Sequence, residues 1–306
     1  MASAEPLLTT ALDLANHTGE SWRKNIRGGV LAKLAPSDPE LKVGTTDVFT
    51  FTGTPKAQLV GEGANKESAD GTPTKQTVKT YKVQITYRFS DELMYADEDY
   101  QAGIVDSLVA NVATALSRAL DLLAIHGVNP ATGAVSANVA NYFTKAGNGV
   151  GRVTSTSDAQ ADIEEAATDL QTAGYVATGI ALDPVYAGKL ARVKGTDKRA
   201  LYPELGLGFG FESFLGLSAA SSDTVSGRQE IGAENATVQA LVGDFDAFKW
   251  GVAREVPLKT IEYGDPDGNG DLQQTNEIAI RAEAILGFAI MDGAAFSLIE
   301  SAPASS

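Results

Sequence analysis

A run of acidic, amide and glycine residues near the C-terminal end could bind a cation: Asp265-Pro266-Asp267-Gly268-Asn269-Gly270-Asp271. In a calcium loop the oxygen ligands would come from Asp265, Asp267 and Asn269, with a glycine, here Gly270, at the sharp bend. The last ligand position, however, is Asn276 rather than a bidentate glutamate, and a strand pattern precedes the loop where a helix is required. The same residue types are common in turns between strands. The run therefore favours a plain turn and leaves a calcium-binding surface or adhesion module as an alternative.

Residues able to perform catalysis are sparse elsewhere in the sequence. The chain has no cysteine, and its two histidines, His17 and His126, do not lie at a metal-ligand spacing. No Gly-x-Ser-x-Gly nucleophile motif is present, and the glycine-rich stretch 206–211 lacks the Lys-Ser/Thr that follows in a phosphate loop. The adjacent carboxylates Glu164 and Glu165 are typical of a solvated helix face. The sequence therefore predicts a protein that is not an enzyme and that holds no cofactor or metal.

Composition narrows the class of protein further. The chain of 306 residues has 24 basic and 39 acidic side chains, a formal net charge of −15, and 43% hydrophobic residues. Such a chain can bury an ordinary core, whereas its acidic balance disfavours a nucleic-acid-binding surface. The basic patch at residues 22–27 is typical of an exposed turn. Because the sequence shows neither a secretion signal nor an apolar run long enough to span a bilayer, it predicts a protein of a reducing cytoplasm without a membrane segment.

Two segments of alternating polarity predict a β-hairpin with a long insert. Residues 47–52 form a short alternating pattern, and the expected partner is the segment 81–89, whose apolar side chains share one face. That face consists of Tyr81, Val83, Ile85, Tyr87 and Phe89. The intervening residues 53–78 are polar and too numerous for an ordinary hairpin loop. They predict either an extended arm that packs on another subunit, since a two-stranded arm is marginal alone, or a floppy surface hairpin.

A long helix is predicted next. Ser90 can cap it, and Asp91 and Glu92 suit the positive end of a helix. Apolar residues then recur with helical periodicity up to the stop signal His126-Gly127. The members of this stripe are Ile104, Val105, Leu108, Val109, Val112, Leu116, Leu120 and Leu123. A continuous helix over this segment would have about 35 residues and a length of about 50 Å, so we expect it to cross the whole molecule.

The second half of the chain mixes short helices and strands. Ser157 opens a capping box and a helix that ends at Gly174, and Asp183-Pro184 starts another helix that extends to about residue 193. Strands are predicted at 180–182, 241–245, 248–252 and 278–290, with only short strands in the Gly- and Ser-rich segment 205–235. Because helices and strands segregate instead of alternating regularly, the predicted fold class is α+β.

The order of several weak motifs resembles the tailed-phage major capsid protein family. The first motif is the strand pattern ending at Phe89-Ser90-Asp91-Glu92, followed by the long helix that ends at His126-Gly127. The stretch 179–190 is similar to the family's strand, Asp-Pro turn and helix, and 241–248 is similar to its Gly-Asp-Phe segment. Residues 280–298 resemble its closing strand and final Ala-Phe step. Together these motifs follow the family's order over most of the chain.

This resemblance implies the Hong Kong 97-type capsid fold, with distinct parts along the chain. Residues 1–45 would be an N-terminal arm, 46–89 an extended loop (the E-loop) in the form of a β-hairpin, and 90–155 the spine helix and peripheral domain. Residues 156–277 would be the axial domain with returning peripheral strands, and 278–306 the closing strand and C-terminus. The polar insert would then lie over a neighbouring subunit.

The resemblance also implies a structural function. The chain would self-assemble as hexamers and pentamers into an icosahedral phage head that encloses double-stranded DNA, and this assembly would take place in the host bacterial cytoplasm. The expected partners are other copies of the chain, a separate scaffolding protein, a portal and a decoration protein, with packaged DNA held without sequence-specific contact. We expect intersubunit contacts from residues of the arm and the E-loop: Trp22, Arg23, Arg27, Lys56, Glu62 and Lys66. An encapsulin-like compartment protein, which shares the fold but encloses cargo enzymes, is the other alternative.

Overall fold

Two β-sheets and one long helix organise the chain in the computed structural model. The structure describes residues 29–37, 44–51, 59, 62, 73–91, 98–195, 198–205, 211–254 and 258–302. The α-helices are α1 (Leu31–Leu34), α2 (Glu98–Asp121), α3 (Ala159–Thr172), α4 (Pro184–Ala191), α5 (Arg228–Ile231) and α6 (Leu272–Thr275). The strands are β1 (Thr45–Phe51), β2 (Pro73–Ser90), β3 (Gly151–Ser155), β4 (Gly179–Leu182), β5 (Ser213–Phe214), β6 (Leu217–Ser221), β7 (Val238–Gly243), β8 (Phe248–Arg254), β9 (Leu258–Ile261), β10 (Glu277–Ile290) and β11 (Phe296–Ser301). The predicted α+β class is confirmed.

The first sheet is built around two long antiparallel strands, β2 and β10. They pair from Ser90 opposite Glu277 to Lys79 opposite Phe288. β1 pairs with the other side of β2, whereas β8 and β9 share the far edge of β10. The apolar face of β2 packs on the core with the large buried side chains of β10, as its alternation predicts.

The pairing of the hairpin differs from the sequence prediction. β1 pairs with the first part of β2, with Asp47 opposite Thr77 and Phe51 opposite Pro73, and not with residues 81–89. Segment 81–89 pairs instead with β10. The apolar face of this segment packs on the same core as the buried side chains of β10, and the two strands are both long enough to pair over the whole segment. The predicted polar insert 53–78 is wrong at its C-terminal end, since strand β2 already begins at Pro73.

The second sheet contains six strands in the order β3-β11-β7-β4-β6-β5. The pairs β3–β11 and β4–β6 are parallel and the other pairs are antiparallel. Among the described strands, consecutive strands change sheet three times: from β2 to β3 through the long helix, and twice through short turns. β7 leads to β8 through the 3₁₀ turn Phe245–Ala247, and β10 leads to β11 through the 3₁₀ turn Gly293–Ala295. Each crossing ties the second sheet to the first.

The long helix begins later than predicted. Ser90 is the last residue of β2 and therefore is not its cap, α2 begins at Glu98, and residues 92–97 lie outside the described residues. The helix continues through one π-helical turn, Leu122–His126, and ends at Gly127, whose φ of 66° gives the left-handed conformation predicted for the stop. Segment 108–126 is apolar enough to cross a membrane, but 72% of it is buried inside the protein. It is the core helix of this fold.

Two hydrophobic cores flank the second sheet. One joins α2, α1 and both sheets, and its centre is a set of aromatic rings in which Phe143 lies 4.9 Å from Phe296 and 5.5 Å from Phe248 between centroids. The other lies under α3 and α4, which cover one face of the sheet. Because the first core contains buried side chains of both sheets and of the long helix, these elements form one packed body.

In the second half of the chain, one of the two predicted helix caps differs from the structure. The N-cap of α3 is Asp158 and not Ser157, because the Asp158 carboxylate accepts from the backbone N–H groups of Gln160 and Ala161. Asp183 caps α4 with Pro184 at its first position, as predicted. Segment 205–235 contains the short strands β5 and β6, and also the short helix α5, which was not predicted.

Candidate assembly surfaces

The predicted contact residues lie mostly outside the described part of the chain. Trp22, Arg23, Arg27, Lys56 and Lys66 are not among the described residues. Glu62 is exposed in a turn, and nearby Leu59 is 100% exposed. The roles of these six residues remain predictions.

The hairpin of β1 and β2 projects beyond the first sheet. β2 has 18 residues, which corresponds to about 60 Å. Its pairing with β10 stops at Lys79, so residues 73–78 pair with β1 alone among the described strands. Lys75 Nζ lies 2.8 Å from Asp47 Oδ2, and this contact is the main cause of a lowered Asp47 pKa. The base of this ribbon packs on the body, because Val78 is buried and Gln76 Nε2 donates to the Met291 carbonyl oxygen at 3.4 Å. The part beyond it is a ribbon of two strands, which is marginal by itself and needs a further surface to pack on.

A buried carboxylate ties the N-terminal segment to the long helix. Asp121, fully buried in the last turn of α2, accepts hydrogen bonds from the backbone N–H groups of Val30 at 2.7 Å and Leu31 at 3.1 Å. It also accepts from the hydroxyl of Thr224 at 2.6 Å. Burial raises the pKa of Asp121 to about 6, and these hydrogen bonds limit the rise. The chain that follows the first 28 residues is therefore held at a fixed point on the helix.

The same segment is held from a second direction. The Trp250 indole N–H donates to the carbonyl oxygen of Ala35 at 3.0 Å, and Ser37 forms an isolated parallel bridge with Trp250. Trp250 lies in β8 and is buried. The described N-terminal residues, from Val30 to Ser37, are thus anchored on both the helix and the first sheet.

Two further side chains of the long helix hold the loop at residues 222–231. Arg118 forms ion pairs with Asp223 and Glu230, each at 2.6 Å. Although partial burial opposes it, the Arg118 guanidinium holds the pKa of Asp223 below its ordinary value. His126 Nε2 lies 3.3 Å and 3.0 Å from the carbonyl oxygens of Thr224 and Val225. Because carbonyls only accept, Nε2 carries the proton.

Burial keeps His126 neutral. The side chain is 6% exposed, and desolvation lowers the pKa of His126 to about 4, although the two carbonyls favour the charged form. No ligand-like His, Cys, Asp or Glu cluster surrounds it within the described residues. The histidine therefore acts as a structural donor to the loop.

The acidic run 265–271 is held by arginine. Arg88 Nε lies 2.9 Å from both carboxylate oxygens of Asp267, and its terminal nitrogens reach Glu277 at 3.1 Å and Asp265 at 3.3 Å. It also donates to the Gly270 carbonyl oxygen at 2.8 Å. Hydrogen bonding to Arg88 holds the pKa of Asp267 far below its ordinary value.

These contacts of Arg88 argue against a calcium-binding loop at residues 265–271. The guanidinium occupies the carboxylate oxygens that a calcium ion would require, and a cation placed there would be repelled by its charge. At the last loop position, Asn276 has a φ of 52° and ends the short helix α6. Asp271 caps the same helix by accepting from the Gln273 N–H at 2.8 Å. The run is a turn pinned to β2 by Arg88.

Sequence analysis missed the residues that hold these segments, namely Arg88, Arg118, Asp121 and Thr224. A signal was present for Asp121, which is a lone carboxylate between Leu120 and Leu122 at the apolar end of the helix. A charge in such a position requires partners. Nothing in the sequence indicated that the partners would be the backbone of residues 30 and 31.

The projecting hairpin, the long helix and the two sheets linked by crossing connections define the class of protein: a phage capsid subunit with the Hong Kong 97-type fold. Two solved structures share this fold closely. One, from Mycobacterium phage Ogopogo, is 40% identical, with 90% of this chain and 92% of that chain covered and a TM-score of 0.76. One from Gordonia phage Cozz is 30% identical, with 90% and 87% covered and a TM-score of 0.73.

Sequence comparison agrees with the fold. The model of the phage capsid family matches residues 23–301, and the chain belongs to this family. It is a structural protein of the virion capsid, and proteins of this kind self-assemble into shells. The chain is also similar to a probable major capsid protein, gp17, of Mycobacterium phage L5, with 27% identity over 274 residues that span 84% of this chain and 80% of the relative.

Proposed function

We propose that this chain is the major capsid protein of a tailed phage and that it assembles as hexamers and pentamers into an icosahedral head around double-stranded DNA. The observation that carries the proposal is the hairpin of β1 and β2, whose residues 73–78 form strand pairs with β1 alone among the described strands. A marginal ribbon of this kind becomes stable when it lies on a neighbouring subunit. The similarity to the L5 protein supports the same function.

The parts of the chain fit distinct roles in such a shell. We assign the hairpin to the E-loop, α2 with the first sheet to the peripheral domain, and the second sheet with α3 and α4 to the axial domain. Rigid sheets would keep the subunit body constant between hexamers and pentamers. The hairpin and the segment before residue 30 would adjust to the different angles, with Asp121 as the fixed end of that segment.

Other partners follow from the same proposal. A scaffolding protein, a portal and a decoration protein would contact the shell, and the chain would perform no catalysis. Packaged DNA would touch the inner wall without sequence-specific contact. A net charge of −15 suits this role, because an acidic wall does not bind the polyanion tightly.

Electron microscopy of negatively stained purified protein, together with sedimentation velocity on the same sample, tests the proposal. We expect closed shells, or rings of five and six subunits. DNA protected from nuclease inside particles from infected cells would distinguish a phage head from a compartment that encloses enzymes. A monomer at every protein concentration, with and without a crowding agent, would contradict the proposal.

A further inference from the structure

Charge is segregated along the layer of helices that covers the second sheet. Residues 153–188 contain six acidic and no basic side chains, whereas residues 189–199 contain five basic and one acidic. The acidic residues of the first stretch are Asp158, Asp162, Glu164, Glu165, Asp169 and Asp183. The basic residues of the second are Lys189, Arg192, Lys194, Lys198 and Arg199. The two stretches are adjacent in sequence but have opposite charge.

The acidic stretch faces outward near one edge of the sheet. Helix α3 packs against β3 and β11, the first two strands in the sheet order. Its inner side chains, among them Ile163, Ala166 and Leu170, are buried. Its remaining carboxylates are exposed: Asp158, Glu164, Glu165 and Asp169. We call these four residues the acidic face.

The basic stretch lies toward the opposite edge. After α4 the chain folds back on itself, with Leu201 N–H donating to the Val193 carbonyl oxygen at 2.9 Å and a bridge between Lys194 and Ala200. It then enters the 3₁₀ turn Pro203–Leu205, which packs on β5, the last strand in the sheet order. All five basic side chains of the stretch are exposed.

Apolar side chains lie beside this basic stretch. Leu201 is 44% exposed and Leu215 is 52% exposed. They are neighbours of Tyr202 and Phe214, whose rings are 5.1 Å apart. Leu215 has a φ of 51°, a left-handed conformation that costs an L-residue free energy. We call Lys194, Lys198, Leu201 and Leu215, with Arg192, the basic edge.

We propose that the basic edge of one copy docks against the acidic face of a second copy, head to tail. Charge complementarity favours this partner, because like edges of two copies would repel each other while unlike edges attract. An apolar centre with a charged rim is the usual composition of a protein–protein contact. Because the two surfaces are different and lie at opposite edges of one sheet, the contact is heterologous and can repeat around a ring. This inference rests on the proposed function, and it names the lateral contact within a ring of subunits.

Charge reversal at each surface tests the contact. The first variant combines E164K, E165K and D169K, which makes both surfaces basic. The second combines R192E, K194E and K198E, which makes both acidic. Each variant alone should require a protein concentration more than about tenfold higher than wild type to form oligomers. An equimolar mixture should restore association into rings with an even number of subunits, such as hexamers, because the basic variant and the acidic variant then alternate.

Controls separate this contact from misfolding and from general charge effects. K259E and E262K change exposed residues in and just after β9 of the first sheet, and both should assemble as wild type does. Thermal melting should show that each triple variant is folded. The association of the mixture should weaken with added salt, since exposed charge pairs are screened.

The possible results lead to distinct conclusions. Assembly of either triple variant at the wild-type concentration, or no recovery on mixing two folded variants, would overturn the inference while leaving wild-type shells as support for the proposed function. Association of the mixture while wild type forms no shell or ring would support the inference and reject the proposed function. Absence of association in wild type and mixture alike would reject both.

Discussion

Asp121 and His126 contact the same residue, Thr224, the first through its hydroxyl group and the second through its carbonyl oxygen. Both side chains lie at the buried C-terminal end of the long helix. Their pKa values are shifted in opposite directions, to about 6 for Asp121 and to about 4 for His126, and burial is the main cause of both shifts. Arg118, Asp223 and Glu230 form ion pairs at this loop, which also contains the exposed Arg228.

The contributions of Asp121 and His126 to the free energy of unfolding should change in opposite directions with pH between pH 4 and pH 6.5. The pKa of Asp121 is raised in the folded state, so its contribution is complete below its ordinary pKa and is lost as the pH rises through about 6. The pKa of His126 is lowered, so its contribution is present above its ordinary pKa and is lost as the pH falls toward about 4. H126Q should therefore gain stability relative to wild type as the pH falls, on the order of 3 kcal/mol over this range.

Urea unfolding of the unassembled chain at several pH values would measure this difference. D121N is the matched variant and should lose stability relative to wild type over the same range. If the free energy of unfolding depended on pH in the same way for wild type and both variants, the pKa shifts of Asp121 and His126 would be contradicted.

The hydroxyl of Thr224 should matter more than an exposed hydroxyl of the same kind. T224V removes one of the donors to the buried Asp121 carboxylate and should lower the free energy of unfolding by about 2 kcal/mol. Thr168 is the control, since its hydroxyl donates to the Glu164 carbonyl oxygen on an exposed helix face. T168V should change the free energy by less than about 0.5 kcal/mol. Equal effects of T224V and T168V would contradict the proposed role of the Asp121 contact.

The loop at residues 264–271 should depend on Arg88 and not on calcium. R88M removes the donor that joins Asp265, Asp267 and Glu277, so amide hydrogens of the loop should exchange faster. Calcium should leave the melting temperature of wild type unchanged, because the carboxylates are already paired with the guanidinium. R281K, at a second arginine that reaches this loop through the Pro266 carbonyl oxygen, should have a smaller effect on exchange. A rise in wild-type melting temperature with calcium would instead favour the metal loop.

Replacement of Leu215 by a residue that tolerates its backbone conformation should raise the free energy of unfolding of the subunit. L215N places at this left-handed position a side chain that tolerates it, and the free energy of unfolding should rise by about 1 kcal/mol. Assembly should weaken in the same variant, because the apolar centre of the basic edge is lost. V176N is the control, since Val176 is 73% exposed but has no positive φ. Loss of stability in L215N would show that the side chain is required for the fold.

The strands and helices with strong periodic patterns were predictable from sequence. The long C-terminal strand, the Asp183-Pro184 cap and the Gly127 stop follow from local spacing, and the structure has all three. Local spacing could not identify strand partners. The pairing of β2 with β10 joins residues almost 200 positions apart, as Ser90 opposite Glu277 illustrates. That choice depends on which strand can bury the face from Tyr81 to Phe89.

The surfaces were less predictable than the fold. Asp121 and Arg88 act through partners that only the tertiary structure brings near, such as the backbone of Val30 and the carboxylate of Asp267. The charge segregation between 153–188 and 189–199 was visible in the sequence. The tertiary structure was needed to interpret it, because only the sheet order shows that α3 and β5 lie at opposite edges of the second sheet.

The placement of β10 and β11 has a consequence for synthesis on the ribosome. β10 lies between β2 and β8, and β11 lies between β3 and β7, so each of the last two strands is an inner strand of a different sheet. A nascent chain that has not yet reached residue 277 therefore lacks the middle of both sheets. The subunit can complete its fold only after residue 301 has left the exit tunnel.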